Sequence, residues 1–250
     1  MLKLEKLAIG TAAGVVGLIS GIAISFPATA ATINGFNGSF GTATTTGDAS
    51  IQGAFAGGPL EGSGQALITT ADTTEVPAFN FSGTNPAGAP GALETFVGLA
   101  SNALDTGNGS AFEGSAIRQT FTAATGDTIA FNWKFLTNEV SDSDYAFVVL
   151  NGALITLANV SNATSFSTPF SSETAFNSFS TGTLLVGSNT ISFGVVDIID
   201  STGASGLLVD NFTITPVPFE FSPATGLVAL GVMFGVDRLR RKIGNRKIQK

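Results

Sequence analysis

The sequence predicts an all-β protein, an antiparallel β-sandwich of the jelly-roll type with one short helix, flanked by an N-terminal signal helix and a C-terminal transmembrane helix. Runs of alternating apolar and polar residues recur from residue 115 onward, as in IAFNWKFLT at 129–137. Asn-Gly and Gly-Ser-Asn turns separate these runs. The helix and strand alternation of a parallel α/β sheet is absent. With 250 residues, 44% of them apolar, the chain is long enough for one main domain.

The first thirty residues have the pattern of a signal peptide. Lys3 and Lys6 provide a positive start, residues 7–24 are largely apolar, and Ala28-Thr29-Ala30 has the small-x-small pattern that signal peptidase cuts. The alternative is an uncleaved membrane anchor, because the apolar stretch is long. Under either interpretation the residues from 31 onward lie outside the cytoplasm.

Residues 31–215 are predicted to form the exported sandwich. SIQGAFAG and GQALITTA indicate short strands between glycine turns. In GALETFVGLASNALD, Leu93, Phe96, Val97 and Ala100 fall at helical spacing, which predicts a short helix over 91–104. Further strands are predicted in SAIRQTFTA, IAFNWKFLT, DYAFVVLNG, ALITLANV, FNSFSTGTLLVG, NTISFGVVDI and GLLVDNFTI.

Charge and composition exclude several kinds of function. Between Ala31 and Val217 there are fifteen Asp and Glu against two basic residues, a net charge of −13, so nucleic-acid binding is excluded. The chain has no His and no Cys, which removes thiol nucleophiles, disulfides and the usual zinc or copper ligands. Oxygen ligands remain, and these suit calcium.

Acidic residues cluster where predicted strands end, in TNEVSDSDY, VVDIIDS and LVDNF. A calcium ion, which takes six to eight oxygen ligands, would compensate the negative charge of these loops. The predicted ligands are Glu139, Asp144, Asp197 and Asp210. The alternative is that these loop carboxylates simply face water.

The C-terminal region, 216–250, combines an apolar run with a basic tail. The uncharged stretch from Ala224 to Val236 has thirteen residues, and a transmembrane helix is predicted at about 219–237. A basic cluster follows at once and is expected to stay cytoplasmic, consisting of Arg238, Arg240, Arg241 and Lys242. The alternative is an apolar core segment with a solvated tail.

The order of a Pro-containing tripeptide, a short membrane helix and an Arg cluster resembles the PEP-CTERM sorting signal, which exosortases recognise in bacteria that secrete exopolysaccharide. The usual motif is Val-Pro-Glu-Pro, whereas this chain has VPFEFSP at 217–223. This resembles the Pro-Phe-Glu variant associated with cyanobacterial surface proteins. The resemblance implies that Pro218, Phe219 and Glu220 are read by an exosortase-like processing enzyme.

A second resemblance covers roughly residues 91–215. GSAIRQTFTAATGDTIAFNWKFLTNE, ISFGVVDIIDS and GLLVDNFTI look like the ectodomain found on many PEP-CTERM-type proteins. That ectodomain is similar to the jelly rolls of carbohydrate-binding modules. The resemblance implies a fold, with no general biochemical activity to carry over.

Sugar binding would need aromatic platforms and a few polar groups. Trp133 shares a face with Ile129, Phe131 and Phe135 and is interpreted as core, whereas Tyr145 follows a loop and is the predicted surface ligand residue. No GxSxG elbow or Ser-His-Asp set exists.

The sequence therefore predicts a non-catalytic protein. It would be exported and anchored at the cell surface or in the extracellular matrix, where it would contact polysaccharide. C-terminal processing could release it. The alternative is a secreted glycan-active hydrolase, for which Glu113 and Glu139 are the candidate acids.

Overall fold

A computed structural model describes residues 36–37, 39–71, 87–141, 143–166, 169–182 and 184–216, and also residues 232, 235, 236 and 238. Val232, Gly235, Val236 and Arg238 are helical and exposed. Among the described residues, no helix is both long and apolar enough to be a candidate membrane span. Outside the description lie the predicted signal peptide, the sorting residues Pro218, Phe219 and Glu220, and the basic residues Arg240, Arg241 and Lys242.

Twelve strands and one α-helix form within the described residues. They are β1 (Thr44–Thr46), β2 (Asp48–Gln52), β3 (Gln65–Thr69), α1 (Pro90–Val97), β4 (Ala111–Ala123), β5 (Thr128–Thr137), β6 (Tyr145–Leu150), β7 (Ala153–Asn159), β8 (Ser165–Phe166), β9 (Ser172–Glu173), β10 (Asn177–Thr181), β11 (Gly187–Ile198) and β12 (Ser205–Thr215).

The strands form two antiparallel sheets. Sheet I has the order β1-β4-β11-β6-β7, and sheet II has the order β2-β3-β12-β5-β9-β8, with β10 also paired to β5. Successive strands β3, β4, β5 and β6 alternate between the two sheets, so each connection crosses from one sheet to the other. The prediction of an antiparallel β-sandwich with one short helix is confirmed.

The main core lies between the sheets and follows from the alternation of side chains along each strand. On β5, Phe131, Trp133 and Phe135 point inward and join a cluster that includes Phe193 of β11 and Phe212 of β12. The rings of Phe131 and Phe193 meet edge to face at 4.8 Å between centroids. The interpretation of Trp133 as a core residue is confirmed.

Both outer faces are also partly covered. Helix α1 packs Leu93 and Val97 on the outer face of sheet I, against Phe147 of β6. On the outer face of sheet II, Phe170 and Leu208 lie in a smaller apolar cluster. Each sheet therefore has two buried faces over part of its area, which explains the nearly continuous burial of β6.

The helix is shorter than the predicted 91–104. It ends at Val97 because Gly98 adopts φ 80° and ψ 32°, and its N–H bonds back to the carbonyls of Glu94 and Thr95. The carboxylate of Glu94 then accepts the N–H groups of Asn102 and Leu104 at 2.8 and 3.0 Å. The helical spacing therefore extends past a glycine cap that stops the helix, and the rest of the segment is a turn.

The two ends of the sandwich differ in composition. The acidic end consists of residues 105–113, 138–144 and 197–204, and the exit end consists of residues 124–127, 151–152 and 184–187 with the last residue of β12. At the acidic end Ser205 pairs with Thr137. At the exit end Thr215 pairs with Thr128 and Gly187 pairs with Ala123. The chain therefore leaves the sandwich toward its C-terminus at the exit end.

Candidate functional site

The three loops of the acidic end contact one another. The side-chain amide of Asn108 donates to the hydroxyl of Ser143 at 2.6 Å. The N–H of Ile199 donates to the carbonyl of Ser110 at 3.1 Å, although Ile199 has φ +90°, which is unfavourable for a β-branched residue. The three loops of the acidic end thus form one surface, and Asp210 of the predicted acidic segment LVDNF lies outside it.

Two of the predicted ligands, Asp144 and Asp197, form a buried pair between the sheets. Asp144 Oδ1 accepts the N–H of Ile198 at 3.0 Å, and its Oδ2 accepts the hydroxyl of Ser205 at 2.7 Å. Hydrogen bonding between the carboxyl groups of Asp144 and Asp197 is one of the causes that favour the protonated form of Asp197. Burial, followed by the charge of Asp144, raises the pKa of Asp197 to about 10.

Further polar groups surround this pair. Glu113 lies opposite Asp197 in the pairing of β4 with β11, and its charge also raises the pKa of Asp197. Asp197 is 1% exposed, and its Oδ2 atom has no hydrogen-bond partner within the described residues. Within sheet II, the hydroxyl groups of Ser205 and Thr137 are hydrogen-bonded at 2.8 Å. The interior of the acidic end is therefore a hydrogen-bonded polar layer.

The other two predicted calcium ligands lie elsewhere. Asp210 follows Ser205 by five positions on β12, about 16 Å along the strand. Its Oδ2 accepts the N–H groups of Leu60 and Glu61, at 2.5 and 3.0 Å. The carboxylate of Glu139 lies against Gly203, where a Cβ atom would come within 1.5 Å of Oε1.

The structure does not bring the four predicted ligands together as one set. Among the described residues, no group of three acidic side chains is arranged to hold a metal ion. Calcium binding by Glu139, Asp144, Asp197 and Asp210 stays a prediction.

Tyr145, the predicted surface ligand residue, is buried. It is 5% exposed and packs on the outer face of sheet I, beneath the turn that follows α1. Its hydroxyl donates to the carbonyl of Leu104 at 2.7 Å, and burial raises its pKa. The prediction of an exposed Tyr145 is wrong, because that turn covers the start of β6.

The two candidate catalytic acids are also largely buried. Glu113 and Glu139 are each 9% exposed. Glu113 belongs to the polar layer beside Asp197, and Glu139 packs against the loop that contains Gly203. Neither residue lines the cavity described next.

That cavity, which the sequence did not indicate, lies on the edge of sheet I. Its volume is about 440 Å³. One wall is the end of β4, and the other is the chain before β1. The lining residues are Phe36, Asn37, Ser39, Phe40, Gly41, Thr42, Gln119, Thr120, Phe121 and Thr122.

The cavity exists because β1 is short. Pairing of β1 with β4 covers only three positions and begins at Thr44 opposite Arg118. Before Thr44 the chain turns at Gly41, which has φ +58°, and the N–H of Ala43 bonds to the carbonyl of Phe40 at 3.0 Å. This turn carries the chain away from β4 and opens a gap beside it.

Aromatic rings form the floor of the cavity. Phe36 enters the core, where its ring meets that of Phe193 edge to face at 5.9 Å between centroids. Phe40 contacts the ring of Phe36 at 6.3 Å and stays half-buried. Phe121 packs against Phe212 at 6.1 Å. The rings are fixed by the core, so the floor is preformed.

The remaining lining groups are polar and uncharged. The side-chain amide of Gln119 donates to the hydroxyl of Thr42 at 3.2 Å, which joins the two walls. Asn37 Oδ1 accepts the N–H of Ser63 at 2.6 Å, which orients that side chain. Among the described residues, no Asp, Glu, Lys or Arg lines this cavity. It can offer the half-buried ring of Phe40, hydroxyl groups and amide groups to a neutral ligand.

No family model matches the chain, and no curated protein matches it. Among solved structures, the chain is similar to the module TmCBM61 in complex with β-1,4-galactotriose, with 9% identity, a TM-score of 0.38, and coverage of 72% of this chain and 92% of that one. A structure of carbohydrate-binding modules from the β-sandwich superfamily gives 10% identity, a TM-score of 0.34, and coverage of 75% and 64%.

The secreted serine protease VesC from Vibrio cholerae gives 15% identity and a TM-score of 0.27, and the match covers 54% of this chain and 29% of the protease. The TM-scores of all three structures are low, so the function has to be inferred from the residues of this chain.

Proposed function

We propose that this protein is an exported, surface-anchored and non-catalytic β-sandwich that binds a neutral polysaccharide in the cavity beside β4. The cavity supports this proposal because it combines the half-buried ring of Phe40 with uncharged hydroxyl and amide groups. Sugar rings stack on aromatic faces, and their hydroxyl groups bond to such polar groups. A volume of about 440 Å³ accommodates a short stretch of glycan.

The charge of the domain supports a neutral ligand over an acidic one. Residues 31–217 carry a net charge of −13, which repels anionic polymers. Both basic residues of this region are used inside the domain. Lys134 pairs with Glu173 at 2.9 Å, and Arg118 donates to the carbonyl of Phe96 at 3.1 Å. Neither cation lines the cavity.

A jelly-roll topology of the sandwich is part of the same proposal. The strands β3-β12-β5-β10 and β4-β11-β6-β7 are neighbours in two four-stranded sets, and consecutive strands are exchanged between them. This interleaving supports a jelly roll. Jelly rolls keep their connecting loops at the two ends, which leaves the β4 edge open to a long polymer.

Anchoring and sorting complete the proposed function. The signal peptide directs export, the apolar run at about 219–237 holds the chain in the membrane, and the cluster beginning at Arg238 stays cytoplasmic. Pro218, Phe219 and Glu220 form the motif for an exosortase-like enzyme. The support for this part comes from the sequence alone. The protein would act at the cell surface or in the extracellular matrix.

The test is binding of the full chain, in mild detergent, to neutral glucans and galactans and to an acidic polysaccharide. We expect retention on a neutral polymer only. Phe40→Ala should weaken binding about tenfold, because a lost aromatic contact of about 1.4 kcal/mol has that effect. The matched control is Phe112→Ala, which removes a half-exposed ring at the acidic end. Equal loss in both variants, or preference for the acidic polymer, would contradict the proposal.

The same experiment separates the binding protein from the hydrolase alternative. A hydrolase of the usual kind places two carboxyl groups across the bond that it cuts, and none lines this cavity. We therefore expect no release of reducing ends from any bound glycan. Release that disappears in Glu113→Gln or Glu139→Gln would establish the hydrolase instead.

A further inference from the structure

Loop 184–187 at the exit end presents two apolar side chains to the outside. Leu184 packs against the core, whereas Leu185 and Val186 are 58% and 73% exposed. The loop is braced by Asn189, whose side chain accepts the N–H of Leu185 at 2.9 Å and donates to the carbonyls of Leu185 and Gly187 at 2.7 and 3.1 Å. Asn189 is itself buried.

This bracing holds the two side chains outward. Burying one Leu or Val side chain stabilises a protein by about 1.5–3 kcal/mol, so a loop fixed with two of them in water forgoes that gain. A single exposed apolar residue is ordinary, but an adjacent pair held by buried hydrogen bonds indicates a contact surface.

The position of the loop indicates what it contacts. Gly187 pairs with Ala123 at the end of β4, and Thr215, the last residue of β12, pairs with Thr128 at the start of β5. The turn 124–127 joins β4 to β5. The chain therefore leaves the domain beside this loop. Within ten residues of Thr215 it enters the apolar run Ala224–Val236 and then the basic cluster.

The distribution of acidic residues also favours the exit end as the end that faces the membrane. The segments of the acidic end contain seven Asp and Glu and no Lys or Arg. The three segments of the exit end contain one acidic residue, Asp127, which is buried and accepts the N–H of Ala124 at 2.8 Å. Four of the seven, Glu113, Glu139, Asp144 and Asp197, are buried, but the exit end still presents less negative charge to a lipid surface than the acidic end does.

We propose that the exit end rests on the membrane surface, with Leu185 and Val186 inserted among the lipid headgroups. This inference rests on the proposed C-terminal anchor, which brings the exit end to the bilayer. Insertion of two apolar side chains to the level of the headgroups is typical of interfacial contacts. The acidic end then points away from the membrane, and the cavity beside β4 opens near the cell surface.

The experiment uses the absence of cysteine from the chain. Val186→Cys is labelled with an environment-sensitive fluorophore in the full chain, which is reconstituted into vesicles of phosphatidylethanolamine and phosphatidylglycerol. The matched control is Val140→Cys, which labels an apolar residue that is 88% exposed at the acidic end. Thermal melting checks that both labelled variants are folded. The vesicles also contain a lipid-borne quencher.

We expect the emission at position 186 to shift to the blue and to be quenched by the lipid, while the emission at position 140 does neither. Flotation of the vesicles reports the anchor separately. If the chain floats and both labels stay in water, the inference is overturned and the anchor stands. If the chain does not float, the anchor fails and the inference with it. A concentration-dependent blue shift without vesicles would identify a second copy as the partner and would overturn membrane contact.

Discussion

At the acidic end carboxyl groups lie between the sheets within a hydrogen-bonded layer. In the middle of the sandwich and toward the exit end, the space between the sheets is instead filled by the phenyl rings of Phe36, Phe193 and Phe212. The stability of the polar layer depends on a bound proton, whereas the stability of the aromatic layer does not. The loops richest in charge thus have their carboxyl groups engaged in the protein interior. The uncharged edge of sheet I keeps the cavity in which a ligand would fit.

The largest effect on stability is expected when the central ring of the aromatic layer is removed. Phe193→Ala is expected to lower the free energy of unfolding by about 3–5 kcal/mol, because the ring is fully buried and contacts Phe36, Phe131 and Phe212. Urea unfolding at pH 5 and pH 8 should give the same loss. Phe112→Ala is the control, with a change below about 0.5 kcal/mol. A loss that depended strongly on pH would contradict the distinction.

The second prediction concerns the proton in the polar layer. The pKa of Asp197 is about 10 in the folded protein and 3.8 in its unperturbed state. Between these values the folded state holds a proton that the unfolded state has released, so the free energy of unfolding falls as the pH rises, by up to about 1.4 kcal/mol per pH unit. This contribution is fully present below pH 3.8 and is lost as the pH approaches 10.

Asp197→Asn needs no proton and should remove that slope. The variant is therefore expected to be more stable than the unmodified protein at pH 8, although a buried carboxyl group has been replaced. Urea unfolding between pH 5 and pH 9 measures both slopes. Asp200→Asn is the matched control, because hydrogen bonds from Thr202 lower the pKa of Asp200 and its contribution is lost at acid pH instead. Parallel slopes for the protein and Asp197→Asn would refute the shared proton.

The third and smallest prediction is calcium binding at the acidic end. A cation would take the place of the shared proton, so its effect should be larger at pH 8 than at pH 5. With a dissociation constant of about 0.1–1 mM, a few millimolar calcium adds about 1 kcal/mol, or a few degrees in melting temperature. Asp197→Asn should abolish this rise. Identical melting temperatures in calcium and in EDTA would contradict calcium binding.

Much of the fold could be predicted because it depends on local patterns. Alternation along β5 placed Phe131, Trp133 and Phe135 on one face, and the structure buries all three. The Asn151-Gly152 pair forms the expected turn between β6 and β7, with φ of +51° and +81°. The end of α1 was missed because apolar spacing continues after Gly98, although the glycine itself signals a stop.

The candidate site could not be predicted, because its walls are distant in sequence. Thr42 and Gln119 meet across the cavity from 77 positions apart. A possible signal was the pair Phe36 and Phe40, two aromatic residues in a glycine-rich segment before the first strand. For Tyr145, a position after an acidic loop suggested exposure, but contact with Leu104 decides its burial.

The sequence by itself determined the strand pattern, the acidic balance of the domain, the absence of thiol and imidazole chemistry, and the prediction of an exported and anchored chain. These properties depend on composition and on short periodic runs. The tertiary structure sets which carboxyl groups are buried together, which aromatic rings reach a cavity and which end carries the C-terminal exit. Each of these depends on strand pairing across more than fifty residues, and side-chain periodicity does not encode which strands will pair.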